Sequence, residues 1–171
     1  MATTVLEVVT PQRRILREEV ESVVAPGAEG YLGVWPRHAP LLTTLKPGVL
    51  YYRKVGGKKE CMAVSGGFME AGPDKVIVLA DAAEFSWEIN AERARQAGER
   101  AKRRLRERYP GMDVARADLA LAKSIARLKA ANAGQRHPSR SLFPKVRRQT
   151  RKRSVPFRDG EHREYQKAPR F

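Results

Sequence analysis

The sequence is poor in the residues that build disulfide-stapled or metal-stapled scaffolds, with one cysteine, Cys61, in 171 residues. A single thiol excludes an intrachain disulfide framework and any zinc site that needs several cysteines. The three histidines, His38, His137 and His162, lie too far apart along the chain to suggest a local metal cluster. We therefore predict that the chain holds no metal ion.

Long apolar runs are also missing. No stretch approaches the roughly 18 residues of a membrane-spanning helix. The first residues, MATTVLE, lack the basic and apolar regions of a secretory signal. Apolar residues still make up 42% of the chain, enough to bury a modest core. These features predict a soluble, cytosolic chain with one domain, or a small domain and an appendage.

Acidic residues are scarce in the second half of the chain. The whole sequence has 34 Lys and Arg against 19 Asp and Glu, a net charge of +15. Residues 1–91 carry a net charge of −1, residues 92–133 carry +7 and residues 134–171 carry +9. A strongly basic rear half predicts an acidic partner, which is a nucleic acid, a membrane surface or an acidic protein.

The front of the chain has the pattern of short antiparallel strands. The predicted strands are 4–10, 20–24, 31–36, 41–45, 49–55, 58–64, 68–71 and 75–80. Gly56 and Gly57 separate two β-rich runs and predict a hairpin, because both can take a positive φ. A second hairpin is predicted at Gly72-Pro73-Asp74. Strands at this spacing favour an all-β N-terminal domain over 1–86, a small antiparallel β-sandwich or flattened barrel.

After about residue 86 the sequence changes from a strand pattern to a helical pattern. Asn90 is a good N-cap for a helix from Ala91 to Tyr109 that ends at Pro110-Gly111. Asp113 can cap a second helix that runs to about Ala131. The short connection predicts an antiparallel two-helix hairpin over 87–133. The predicted apolar stripes are Ala94, Gly98, Ala101, Leu105 and Tyr109 on the first helix, and Val114, Ala117, Leu121, Ile125 and Leu128 on the second.

These stripes are thin. Alanine and glycine let backbones approach closely but remove little apolar area from water, at about 25 cal/mol per Å². A hairpin of this composition is predicted to be marginal alone. It either packs on the β domain or on a partner, or it opens.

No motif of catalytic chemistry is present. Gly56-Gly-Lys-Lys59 lacks the spacing of a P-loop, and Val64-Ser-Gly-Gly67 is not a nucleophile elbow. Cys61 is predicted to be a small core residue in a strand. Three acidic residues, Asp74, Asp81 and Glu84, lie at strand and turn ends, where solvated carboxylates are the expectation.

The tail from 134 to 171 has four prolines, no sustained periodicity and a dense basic block, Arg147–Arg153. It is predicted to be basic and disordered in isolation. Phe143, Phe157 and Tyr165 lie among its cations, which favours a basic nucleic-acid-binding protein as the alternative function. The front half argues against nucleic acid as the main partner, because it is almost neutral and has no nucleic-acid-binding motif. Contact of the tail with anionic lipid or with an acidic protein stays open.

Five sequence blocks resemble the epsilon subunit family of bacterial F-type ATP synthases. They are Glu29–Gly48 (EGYLGVWPRHAPLLTTLKPG), Ser65–Glu70 (SGGFME), Val76–Glu84 (VIVLADAAE), Ile89–Ala94 (INAERA) and Ala117–Leu128 (ADLALAKSIARL). The blocks occur in the family's order and cover about residues 4–132, which makes the resemblance highly specific. It implies a β-sandwich followed by a helical hairpin, in agreement with the strand and helix patterns.

The resemblance implies a non-catalytic subunit of a proton-translocating ATP synthase. In the family the sandwich links the gamma subunit to the c ring in the central rotor stalk. The helices fold on the sandwich or extend toward the catalytic beta subunits, where they inhibit ATP hydrolysis. The implied location is peripheral, on the cytoplasmic side of the bacterial cell membrane, through the complex.

Some family members bind a regulatory ATP, and this is the only cofactor the resemblance suggests. The matching positions are Glu84, Asn90, Arg93, Ala94, Arg100, Lys123 and Arg127. Asn90 stands where the family has aspartate, and Lys123 stands where arginine is usual. Asparagine keeps a carbonyl acceptor without charge, and lysine lacks a bidentate donor fork. A nucleotide site and a plain helix cap on a solvated face are therefore equal alternatives.

Two contact surfaces also follow from the resemblance. The rotor interface is expected at Tyr31 and His38 in the Glu29–Leu45 segment, with Tyr31 where the family usually has glutamate. The inhibitory contact to beta is expected at Arg103, Arg104 and Arg106 on the first helix, facing an acidic loop of that subunit.

Overall fold

A computed structural model describes residues 2–107 and 110–135 of the chain. These residues contain seven strands and two helices. The strands are β1 (Thr4–Val9), β2 (Arg14–Gly27), β3 (Gly30–Val34), β4 (Leu41–Lys54), β5 (Lys59–Ala71), β6 (Lys75–Ala80) and β7 (Ala83–Phe85). The helices are α1 (Ala91–Glu107) and α2 (Val114–Gln135). The predicted fold class, a β domain followed by a helical hairpin, is confirmed. The predicted disorder of the tail falls outside the described residues.

The strands close into a flattened barrel. Their order is β1-β6-β5-β4-β2, and a further pairing of β1 with β2 completes the ring. β3 pairs with β2, and β7 pairs with β5, both antiparallel. The pairing of β1 with β6 is parallel, whereas the sequence pattern predicted only antiparallel neighbours. The pairing of β1 with β2 satisfies backbone groups that an open sheet would leave unpaired on these two strands, while β3 and β7 each have one partner strand.

Three predicted strand breaks are wrong. β4 runs without interruption through Lys46-Pro47-Gly48, β5 joins two predicted strands, and β2 runs from Arg14 through Pro26 to Gly27. Proline and glycine are tolerated here because the β2–β4 ladder is irregular between Val24 and Gly27. Gly48 is required at this bend, since a Cβ there would lie 2.5 Å from the Cβ of Pro26.

Both predicted hairpins are confirmed. β4 and β5 are antiparallel neighbours joined through Gly56 and Gly57, with φ values of 88° and 85°. β5 and β6 are antiparallel, and the Gly72 amide donates to the carbonyl of Lys75 at 2.8 Å. Positive φ at the first turn explains why glycine is needed at both of its positions.

The barrel interior is filled by alternate residues of the strands. Its fully buried members include Leu6, Val8, Val20, Val23, Leu50, Tyr52, Met62, Val64, Met69, Val76 and Val78. They form one continuous cluster that needs no side chain from either helix. The core of the β domain is therefore complete within the strands.

The helices begin where the sequence predicts. The Oδ1 of Asn90 accepts from the Arg93 amide at 2.9 Å, and the Oδ1 of Asp113 accepts from the Arg116 amide at 2.9 Å. These are N-cap bonds, which satisfy amides that have no partner inside the helix. Both predicted caps are thus confirmed.

The predicted buried face is correct for α1 and partly wrong for α2. Ala94, Gly98 and Ala101 are buried and Leu105 is half-buried, whereas Tyr109 lies outside the described residues. On α2, Val114 and Ile125 are exposed. The buried α2 residues are Ala117, Ser124, Ala126, Ala130 and Ala131. α2 contacts both α1 and the strands β4 and β5, so small residues on two sides of the helix are covered.

A charged network joins three strands at the β4–β5 end of the barrel. The carboxylate of Glu60 accepts from the Tyr52 hydroxyl at 2.9 Å and pairs with Lys54 at 3.2 Å and Lys58 at 2.8 Å. Lys54 also pairs with Glu18 of β2 at 3.1 Å. Burial alone would raise the pKa of the Glu60 carboxyl, but its hydrogen bonds from Lys58, Tyr52 and Lys54 outweigh burial and hold that pKa below its ordinary value.

Replacing Glu60 by Gln is expected to lower the free energy of unfolding by about 1–2 kcal/mol at pH 7, because charge-assisted bonds are lost at a largely buried site. A depressed folded-state pKa contributes stability above the unfolded pKa, near 4.3, and this stability is lost as the pH falls through the folded-state value. The difference between the unaltered chain and Glu60→Gln should therefore shrink between pH 5 and about pH 3. Urea unfolding across this range measures it. Glu29→Gln, at an exposed glutamate, is the control, and a pH-independent difference would contradict the assignment.

Candidate functional site

An exposed apolar patch lies on the outer face of the barrel. Phe68 of β5 is the register partner of Leu79 of β6 and of Thr44 of β4, so these side chains share one face. Leu42, two residues before Thr44, lies on the same face. The three large side chains, Leu42, Phe68 and Leu79, are 72%, 53% and 54% exposed. We call these three residues the apolar patch. Exposed clusters of large apolar side chains mark interaction surfaces.

The loop before β4 borders the end of the barrel where the apolar patch begins. Arg37 has a φ of 64°, and its amide donates to the carbonyl of Pro73 in the β5–β6 turn at 2.8 Å. The Nδ1 of His38 lies 2.7 Å from the carbonyl oxygen of Ala39. His38, predicted for the rotor interface, is thus half-buried in a loop tied to the β5–β6 turn.

Tyr31 has different neighbours. Its hydroxyl accepts from the Val49 amide at 3.3 Å, and its ring centroid lies 6.4 Å from that of Tyr51. It also borders an open groove of about 580 Å³ between the β2–β3 turn, the bend of β4 and α2. Tyr31 is exposed. Among the described residues, no hydrogen bond or ring contact joins Tyr31 to His38, and their common role at a rotor interface stays a prediction.

The helical hairpin covers one outer face of the barrel. Val49, Cys61 and Ala63 pack with Ala130 of α2, and the Cys61 thiol donates to the carbonyl of Ala130 at 3.7 Å. Burial raises the pKa of the Cys61 thiol. The prediction that Cys61 is a small buried residue is confirmed. Its place is under α2, because Cys61 and Ala63 alternate with the interior residues Met62 and Val64.

An ion pair also joins the hairpin to the barrel. Both Nε and Nη2 of Arg127, on α2, donate to Oε1 of Glu84, on β7, at 2.8 and 2.6 Å. The two side chains are 30% and 38% exposed. The expectation of a solvated carboxylate is therefore wrong for Glu84, whereas Asp74 and Asp81 are exposed. The resemblance grouped both residues in one nucleotide site, but local sequence pattern gave no sign that they pair with each other across 43 residues.

The residues predicted for a nucleotide site do not form a ready triphosphate cradle. The charge of Arg127 is balanced by Glu84, and the Oδ1 of Asn90 is used in the cap of α1. Ala94 is buried. Arg93 and Arg100 are exposed on α1 and Lys123 is half-buried on α2. None of the seven lines the groove beside Tyr31. Binding of ATP stays a prediction from the resemblance alone.

The three arginines predicted to contact beta are exposed along the last two turns of α1. Arg104 and Arg106 lie in its final turn, where positive charge complements the helix dipole. Arg103 is exposed beside them, and Lys102 pairs with Glu99 at 2.9 Å. This cationic surface of Arg103, Arg104 and Arg106 is available for contact, while the contact itself stays a prediction.

Sequence reasoning missed the apolar patch. The signal was present in the period of two, since residues 75–80 alternate between exposed and buried positions and Leu79 falls on the outward set. One such side chain is ordinary on a protein surface, and only its grouping with Leu42 and Phe68 on neighbouring strands marks an interaction surface.

No helix in the described part is both long and apolar enough to cross a membrane.

Two family models match the chain. One is described as ATP synthase, Delta/Epsilon chain, beta-sandwich domain, and matches residues 3–86. The other is described as ATP synthase, Delta/Epsilon chain, long alpha-helix domain, and matches residues 88–132. Together the two models span the strands and most of the hairpin.

Curated relatives and a solved structure point the same way. An ATP synthase epsilon chain of Moorella thermoacetica is 61% identical over 133 residues, covering 78% of this chain and 99% of the relative. That of Desulforamulus reducens is 50% identical over 126 residues, covering 74% and 95%. A chain in the cryo-EM structure of the Euglena gracilis mitochondrial ATP synthase, an OSCP/F1/c-ring assembly in rotational state 1, has a TM-score of 0.69. It is 27% identical and covers 77% of this chain and 82% of that chain.

Proposed function

The chain belongs to the family of ATP synthase delta and epsilon chains, and from this premise we propose that it joins gamma to the c ring in the rotor and restrains ATP hydrolysis. It is an epsilon-type subunit of an ATP synthase. The barrel is the part that attaches, and the hairpin is the part that regulates by contact with beta. The alternative of a nucleic-acid-binding protein has no support in the comparisons, which match residues 3–86 and 88–132 to ATP synthase domains.

The apolar patch is the observation that carries the proposal of attachment. Leu42, Phe68 and Leu79 expose apolar area on neighbouring strands of a barrel whose interior is already complete. Full burial of such side chains against a partner contributes about 1.5–3 kcal/mol each. In this proposal the apolar patch contacts gamma. The loop with His38 at the same end of the barrel fits the c ring.

Regulation by the hairpin is supported by the weakness of its contact with the barrel. Alanines form most of the α2 side of this contact, and each buried methyl or methylene contributes about 0.8 kcal/mol. The half-exposed pair of Arg127 and Glu84 adds about 0.2–1 kcal/mol. A contact of a few kcal/mol allows a minor population in which the hairpin has left the barrel. The cationic surface on α1 then becomes able to reach beta.

The subunit supplies no catalytic step in this proposal. The full sequence has neither a P-loop nor a nucleophile elbow, so ATP chemistry belongs to the subunits it contacts. Its place is peripheral, on the cytoplasmic side of a bacterial cell membrane, held there by the c ring. Coupling to proton transport is mechanical, through rotation with gamma.

Assembly of the rotor tests the proposal. The triple variant Leu42→Ser, Phe68→Ser, Leu79→Ser, co-expressed in the full chain with gamma and the c ring, is expected to co-purify with gamma at least tenfold less than the unaltered chain. The lost apolar burial is large, and the folded barrel stays intact because these side chains are already exposed. The recovered amount of each subunit is the measurement, with thermal unfolding to verify the fold.

Val55→Ser is the matched control, because Val55 is an exposed apolar residue at the β4–β5 turn, outside the apolar patch. In the second arm, Tyr31→Ala with His38→Ala is expected to weaken retention of the c ring and leave gamma bound. Normal recovery of gamma with the triple variant would refute the apolar patch as the attachment surface. Normal recovery of the c ring with the double variant would refute the predicted loop interface.

A further inference from the structure

We propose that the pair of Arg127 and Glu84 is an electrostatic clasp that sets how often α2 leaves the barrel, so that ionic strength opens the hairpin. This rests on the proposed function only in taking the folded hairpin as the state that does not inhibit. The clasp itself is a property of the isolated chain and needs neither gamma nor beta.

The geometry of the pair suits a clasp. Arg127 lies on α2 and Glu84 on β7, so the pair crosses the boundary that opening must break. Nε and Nη2 both donate to a single oxygen, Oε1, which leaves the second carboxylate oxygen outside this bond. Side chains that are 30% and 38% exposed keep part of their attraction and are still reached by salt. A fully buried pair would respond little to ionic strength.

The rest of the contact offers little that resists opening. Ala130 and Ala133 are the apolar contacts from α2 to the cluster of Val49, Cys61 and Ala63. At Gly134 the helix backbone lies directly on Ser86, where a Cβ would come within 2.5 Å of the Ser86 Oγ. This closeness depends on the absence of a side chain at Gly134. The apolar part of the contact is formed mostly by alanine, and each buried methyl group contributes about 0.8 kcal/mol.

The chain carries its own reporter of this opening. Cys61 is the one cysteine in the sequence and is 4% exposed. Its thiol lies against the carbonyl of Ala130, one turn of α2 beyond Arg127. Departure of α2 uncovers the thiol, and local opening limits its reaction with a reagent in solution. The rate of thiol modification therefore measures the open fraction.

The test is the rate at which a maleimide or a disulfide reagent modifies Cys61 in the full-length chain at pH 8 and low salt. Arg127→Gln and Glu84→Gln are each expected to raise this rate about two- to fivefold, the range of a partly exposed ion pair. The double variant should be no faster than either single variant, because both remove one interaction. Added NaCl at 0.5 M should raise the modification rate of the unaltered chain nearly to that of the variants, and should leave the rates of the variants nearly unchanged.

Two further variants keep the result specific. Lys102→Gln removes an ion pair within α1, with Glu99, and should leave the rate unchanged. Exchange of the charges, Glu84→Arg with Arg127→Glu, should restore slow modification, whereas a merely structural role would not be rescued. Far-UV circular dichroism and the thermal transition verify that each variant is folded.

Equal rates in Arg127→Gln and the unaltered chain, or an equal increase in Lys102→Gln, would overturn the clasp. So would a thiol that stays unreactive in every variant, since α2 would then not leave the barrel. Because no other subunit is present, such a failure leaves the assembly test of the rotor surface untouched. If the modification rates are as expected but the chain does not assemble with gamma and the c ring, the proposed function is refuted and the clasp is still supported.

Discussion

Truncation of the chain after Ser86 is expected to abolish the restraint on ATP hydrolysis while leaving a folded barrel attached to the rotor. The barrel core is formed by strand residues alone, and pairing of β1 with β2 closes the ring without the helices. The cationic surface of α1 is removed with the hairpin. The rate of ATP hydrolysis by the assembled complex should rise to the uninhibited rate. An activity assay with the purified complex measures this increase.

The same truncation must keep a cooperative unfolding transition. It uncovers Val49, Cys61 and Ala63, so some loss of stability is expected, but not loss of the fold. A chain ending at Gln135 is the matched control, because it keeps all of α2 and removes only the residues beyond it. Loss of the transition after truncation at Ser86 would show that the barrel depends on the hairpin.

Reversal of Arg103, Arg104 and Arg106 to Glu is expected to relieve inhibition nearly as fully as truncation. Single exposed pairs contribute about 0.2–1 kcal/mol, but three reversals replace attraction by repulsion at neighbouring positions. Hydrolysis should rise about tenfold at low salt and less at 0.3 M salt, since screening weakens both the attraction and the repulsion. Steady-state hydrolysis at both salt concentrations is the measurement.

Deletion of residues 136–171 is the charge control for this triple variant. It removes a net charge of +9, against a change of six units in the reversal, yet should relieve inhibition less. Glutamates in the last turn of α1 oppose the helix dipole, so helicity must be verified by circular dichroism. The milder variant with Gln at the three positions should give an intermediate effect. Full relief by the deletion, with no effect of the reversal, would assign the inhibitory element to the tail.

Features decided by neighbouring residues were predictable from the sequence. Gly56 and Gly57 determine a hairpin because few other residues adopt positive φ at two successive positions. Asn90 and Asp113 determine the starts of both helices because a short polar side chain caps the amides that follow it. The family resemblance was equally accessible, since its blocks are contiguous runs of sequence.

Features decided by distant residues were not predictable. Pro47 looked like a strand end, but β4 continues through it because β5 pairs with β4 on both sides of the bend. Ile125 looked like a core residue, but α2 buries alanines against two different layers and leaves Ile125 outside. Whether a residue is buried depends on what covers it, and the sequence does not state which elements pack together.

The same distinction between neighbouring and distant residues applies to the candidate sites. The basic charge of α1 and the outward position of Leu79 follow from local pattern, so the sequence alone determined the character of both surfaces. Only the tertiary structure decided that Leu42, Phe68 and Leu79 form one patch and that Arg127 meets Glu84. The physical reason is that pattern and propensity act over one or two turns of chain, whereas a surface or an ion pair across 43 residues exists only after the barrel closes and α2 packs on it.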